Sequence, residues 1–184
     1  MKATDELKKE HEGIKLMLRV LQAVAGKVNL GERVNPEHID GILEFLSIFV
    51  DKCHHAKEEE FLFPALEAAG MPHEGSPIGV MLAEHAESRQ IVARLKDAFA
   101  AYRSGRESAS LEVSKTAGEY IGLLSRHIDK ENGVLFPMAD GRIEAADDDR
   151  LVVRFEELER ERIGYGKHEE FHALLARLEN AYLT

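Results

Sequence analysis

The stretch His54-His55-Ala56-Lys57-Glu58-Glu59-Glu60-Phe61-Leu62-Phe63-Pro64 decides how this chain folds, because it recurs as His127-Ile128-Asp129-Lys130-Glu131-Asn132-Gly133-Val134-Leu135-Phe136-Pro137. The shared pattern is H-x-x-K-E-x-x-x-L-F-P. A His and a Glu four residues apart project from one helix face, one turn apart. Each copy therefore offers an imidazole and a carboxylate to the same place.

Outward from the repeat, apolar residues recur at alternating steps of three and four. Leu43, Leu46, Val50, His54, Glu58, Phe61 and Ala65 share one face, and Val113, Ala117, Tyr120, Leu124, His127, Glu131, Val134 and Met138 share another. Two further segments have the same seam: Leu7, His11, Ile14, Leu18, Leu21, Ala25, and Ile78, Met81, His85, Ser88, Val92, Leu95, Phe99. This spacing is that of amphipathic helices. Asn35-Pro36 and Ser76-Pro77 each give an N-cap followed by proline at the first helical position. Gly26 stops helix one, 27–35 is a loop, Pro64 kinks or ends helix two, and helix four stops near Asp140-Gly141. Beyond the acidic run Asp147-Asp148-Asp149, read as a loop, a short helix (about 150–162) leads through Gly164 and Gly166 to a last helix. No segment alternates as a strand would. The expected fold is all-α: an antiparallel up-down-up-down four-helix bundle over 1–141, with a C-terminal helical extension, 142–184, packing on it.

Composition narrows the function. A formal charge of −10 with no basic stripe excludes a general nucleic-acid binder. Cys53 stands alone, so neither an internal disulfide nor a cysteine-based zinc or iron–sulfur site fits. No signal-like N-terminal stretch and no run of about 18 apolar residues is present, so no membrane association is expected and the cytoplasm is the default location.

Each seam holds at least one ionisable residue where the pattern elsewhere places Leu, Val or Phe: His11, His54 with Glu58, His85, and His127 with Glu131. Buried unpaired carboxylates cost several kcal/mol, so these groups should be paired or metal-bound. Four imidazoles and two carboxylates from four helices suit two metals in a bundle core, and a mixed N/O set with vacant positions suits iron better than zinc. Phe61, Leu124 and Val134 would keep water out.

The order His, HxxxE, His, HxxxE, with Leu-Phe-Pro after both motifs, resembles the hemerythrin-like (HHE cation-binding) family over about residues 5–140. The resemblance implies a cofactor of two iron ions bridged by two carboxylates and an oxo or hydroxo group, with manganese or zinc as alternatives. It implies terminal ligands His11, His54, His85 and His127 and bridges Glu58 and Glu131. One turn from His85, where the oxygen carriers have a second His, stand Met81 and Arg89, and the last motif is HxxxE instead of HxxxxD. The pattern is therefore closer to the bacterial di-iron repair type than to oxygen carriers.

The missing ligand points to His168, carried on the terminal helix after the Gly164–Gly166 turn, either binding metal or lining its access path. His55, Glu59 and Glu60 are expected off the seam, in outer or solvated positions. The implied function is a metal-binding protein that senses or reacts with oxygen, nitric oxide or peroxide in a stress response, or supports iron homeostasis and repair, with a redox partner or a second copy as partners. The alternatives are a ferroxidase- or peroxidase-like enzyme and a metal-free helical interaction module.

Overall fold

A computed structural model describes residues 2–184 and contains only helices among them. We label them α1 (Ala3–Asn29), α2 (36–68), α3 (Pro77–Arg103), α4 (109–142), α5 (145–163) and α6 (Lys167–Tyr182). Both predicted caps are made: Asn35 Oδ1 accepts from the Glu37 amide at 3.0 Å, and Ser76 Oγ from the Ile78 amide at 3.2 Å. Helices α1 to α4 run antiparallel in sequence order. His11 and His85 lie early in α1 and α3, while His54 and His127 lie late in α2 and α4, so all four reach one level of the bundle.

Several boundaries differ from the sequence reading. Helix α1 runs through Gly26 to Asn29, because Val24, Ala25 and Val28 continue its buried face. The acidic run 147–149 is helical, with Asp147 and Asp148 in the first turn of α5, where carboxylates favour the helix dipole. Neither proline ends its helix. Wide π turns cover Glu58–Leu62 and Glu131–Leu135, and α-helix resumes at Phe63 and Phe136 with Pro64 and Pro137 in its first turn. The π turn absorbs the amide that proline lacks. A longer π segment, Phe45–His55, precedes the first motif.

Two apolar clusters enclose the site level. The larger holds Ile14, Leu21, Phe45, Val50, Leu95, Phe99 and Leu124, and takes in Phe171, Leu175 and Leu178 of α6. The smaller closes the near end with Leu7, Phe63, Ile78, Met81, Phe136 and, from α5, Leu151 and Phe155.

Candidate metal centre

Between these clusters His11, His54, Glu58, His85, His127 and Glu131 are all buried. Nε2 of His11 lies 3.0 Å from Nε2 of His54, and Nε2 of His85 lies 3.2 Å from Nε2 of His127. Glu131 sets Oε2 3.1 Å from His11 Nε2 and Oε1 3.0 Å from His127 Nε2. Glu58 sets Oε1 3.7 Å from His54 Nε2 and Oε2 3.3 Å from His85 Nε2. Each carboxylate thus spans both imidazole pairs, one oxygen toward each.

Every outward nitrogen of these four rings has an acceptor. Nδ1 of His11 meets Asn132 Oδ1 at 2.9 Å, that of His54 meets Glu10 Oε2 at 2.8 Å, that of His85 meets Glu59 Oε1 at 2.7 Å, and that of His127 meets Glu84 Oε2 at 2.9 Å. Such acceptors favour a proton on Nδ1 and turn Nε2 inward as the atom available to a metal. The lysines of the repeat complete this outer ring. Buried Lys57 binds Glu10 together with Glu6 and Glu159, and Lys130 binds Glu84.

Burial brings the His54 imidazole down to about 4, against the pull of Glu10. Burial would raise the Glu10 carboxyl, but the bond from His54 and the Lys57 ammonium outweigh it and hold it at about 2. With His54 neutral, the charge that keeps Glu10 ionised is that of Lys57. Burial and the neighbouring Glu131 charge push Glu58 well above the carboxylate range. For Glu131 burial acts in the same sense, but His127 and His11 outweigh it and hold the carboxyl low.

The inner atoms fit a pair of cations. Both oxygens of Glu58 and both of Glu131 are buried without a hydrogen-bond partner, a cost of about 1–3 kcal/mol each if left so. The inward nitrogens of each pair, about 3 Å apart, have the spacing of two nitrogens in adjacent positions on one metal with bonds of about 2.1 Å. Two sets of ligand atoms, His11–His54–Glu58–Glu131 and Glu58–His85–His127–Glu131, each lie within 4.8 Å of one another and share the carboxylates.

His168 is not brought into these sets. Packing of Phe171, Leu175 and Leu178 into the larger cluster lays α6 along the outside of the bundle. His168 Nε2 ends 3.4 Å from Glu159, 3.9 Å from Glu10 and 3.7 Å from Cys53 Sγ, behind the outer ring. The Cys53 thiol is pushed up by burial and by Glu10, against Lys57. Val134 is about half exposed and shields nothing; Phe136 and Phe63 stack on His11 and His85 instead. Glu59 is no solvated residue but the acceptor for His85, and His55 is buried. Glu10 and Glu84 escaped the sequence reading, although a signal existed: Glu-His precedes both copies, as Glu10-His11 and Glu84-His85.

The chain is 22% identical over 162 residues to an uncharacterized protein of Mycobacterium tuberculosis, covering 88% of this chain and 63% of that protein. It is 30% identical over 124 residues to the iron-sulfur cluster repair protein YtfE of Escherichia coli, and 31% to that of Salmonella heidelberg, covering 65% of this chain and 56% of each. The chain thus spans less than two thirds of the length of these curated relatives. No solved structure matches it. The family model of the hemerythrin HHE cation binding domain matches residues 2–139, and the chain belongs to that family.

Proposed function

We propose that the chain is a non-haem di-iron protein that takes up a diatomic molecule, oxygen or nitric oxide, or peroxide, in a cytoplasmic stress or repair role. The observation that carries this reading is the pair of carboxylates, each spanning two imidazole pairs, with four buried oxygens lacking any hydrogen-bond partner. A pair of iron ions bound there would supply a redox-active centre with coordination positions open to a small ligand. The chain's own residues do the rest. Glu10, Glu59, Glu84 and Asn132 hold the imidazoles in one tautomer and orientation. Phe63, Phe136 and Leu124 keep bulk water away.

An open recess of about 800 Å³ beside α3 and α4, lined mainly by Pro77, Val80, Met81 and Val134, reaches Glu84 and Lys130. Its apolar wall suits a small uncharged molecule. The repair role rests on the likeness to the iron-sulfur cluster repair proteins.

The test mixes iron(II)-loaded protein with nitric oxide and, separately, with excess peroxide, and follows the optical spectrum by stopped flow. A binding or sensing protein reacts once per centre. Sustained turnover of peroxide with added iron(II) would favour the ferroxidase- or peroxidase-like alternative, and no spectral change with either reagent would contradict the proposal.

A further inference from the structure

The helix pairs α1–α2 and α3–α4 repeat one unit, and α5 covers the outer face of the first. The Phe155 ring lies 6.3 Å from that of Phe61 and 5.4 Å from Lys57 Nζ, and Glu159 binds Lys57. Arg162 Nη2 donates to Glu60 at 3.0 Å, and Asp148 accepts from the Ala3 amide at 3.0 Å. Superposing His11 on His85 and His54 on His127 in sequence carries these positions onto the second unit. Ala3 falls on Pro77, Glu6 on Val80, Lys57 on Lys130, Glu60 on Gly133 and Phe61 on Val134. Pro77, Val80, Lys130 and Val134 all line the recess of about 800 Å³ beside α3 and α4. That recess is the counterpart of the seat that α5 fills. Val80 and Val134 are about half exposed in it, and its volume far exceeds that of a diatomic molecule.

We propose that the recess is a docking site for an amphipathic helix of a partner protein with the chemistry of α5. That chemistry is an apolar stripe spaced as Leu151, Phe155 and Leu158, with a carboxylate four residues beyond the middle one, as Glu159 is. Charge points the same way. Among the described residues Lys57 is met by Glu6, Glu10 and Glu159, but Lys130 by Glu84 alone. Val80 stands where the first unit has Glu6, which makes the second seat more apolar and leaves Lys130 a carboxylate short. Gly133 stands where Glu60 holds Arg162, so the occupant needs no basic residue at that point. The chain's own helices are committed elsewhere: Leu151 and Phe155 hold α5 on the first unit, and Phe171, Leu175 and Leu178 hold α6 on the larger cluster. A second copy has its α5 engaged in the same way. A helix seated on Lys130 would adjoin the Lys130–Glu84–His127 chain, as Glu159 adjoins Lys57–Glu10–His54. Neither the seat nor its test depends on the two-metal reading.

The probe is a synthetic peptide of residues 145–163 carrying Arg162→Ala, titrated into intact isotope-labelled protein while amide shifts are followed by NMR. Saturable shifts should centre on Val80, Lys130 and Val134. Phe155→Ala in the peptide should weaken binding about 30-fold, as removal of a buried aromatic anchor does. Glu159→Gln should weaken it about fivefold, the worth of a partly exposed ion pair. Val134→Glu in the protein should abolish the shifts. Val134 is half exposed, so that variant should fold, and the wild-type shift map needs no variant. Shifts centred instead on Glu60 and Phe61, meaning that the peptide displaces α5, overturn the proposal, as does the absence of saturable shifts. A concentration-dependent dimer in sedimentation that Val134→Glu splits also overturns it, because the recess then belongs to a second copy.

Discussion

Oε2 of Glu10 lies 2.8 Å from Nδ1 of His54, and Glu10 immediately precedes His11, so one turn of α1 supplies an inner imidazole and orients its partner on α2. Glu84, before His85, does the same for His127. The site is thus built from two similar helix pairs. Removing such an outer carboxylate typically costs 10–100-fold in metal affinity. Glu10→Gln and Glu84→Gln should each show that loss in competition with a chromophoric chelator, with the two inner carboxylates untouched. Wild-type affinity in both variants would mean that the outer ring does not orient the imidazoles.

The two repeated lysines differ in burial and should differ in energy. Lys57 is fully buried among Glu6, Glu10 and Glu159, whereas the Lys130 side chain is 43% exposed. Lys57→Met strands the buried Glu10 carboxylate and should cost about 3–5 kcal/mol. Lys130→Met removes a solvated pair worth about 0–1 kcal/mol. Urea denaturation of both variants at neutral pH measures the difference, and equal losses would contradict the burial assigned to Lys57.

Metal affinity should rise with pH. The Glu58 carboxyl lies well above its usual 4.5, through burial and the Glu131 charge. The His127 imidazole lies above 6.5, because Glu131 and Glu84 outweigh its burial. Both are raised, so both hold a proton in the metal-free protein at pH values where a free group would have lost it. Metal must displace those protons. Affinity should therefore keep climbing with pH beyond 6.5, and binding should release protons, as calorimetry in buffers of different ionisation enthalpy would show. A plateau from pH 6.5 upward would contradict the raised values.

His168→Ala should leave metal content unchanged. It faces Glu10 and Glu159 rather than the inner carboxylates, and its influence passes through the Glu10–Lys57 network. Any change in optical spectrum should be smaller than that of Glu10→Gln. Loss of a metal from the His168 variant would place α6 at the centre after all.

The bundle was legible because its seams follow the 3.6-residue period and its two motifs repeat in register. What escaped depends on departures from that period. His55 lies about 100° off the α-helical seam, and the π segment that accommodates it is not encoded in any spacing of apolar residues. Pro64 was read as a kink or stop because the sequence does not show that a π turn can accept it. Glu10, Glu59 and Glu84 look like ordinary charged helix residues until the fold sets each opposite an imidazole. The position of His168 was not legible for a different reason: the Gly164–Gly166 turn permits many directions, and Phe171, Leu175 and Leu178 select one that follows the bundle's flank.

Metal stoichiometry tests the central claim most directly. Wild type, Glu58→Ala, Glu131→Ala and Glu60→Ala would be loaded anaerobically with iron(II), freed of excess metal and measured by inductively coupled plasma mass spectrometry. Glu60 pairs with Arg162 on the surface and serves as the control. The account predicts two irons per chain in wild type and Glu60→Ala, and the loss of at least one in each of the Glu58 and Glu131 variants. Equal metal content in all four proteins, or none in the wild type, would contradict it.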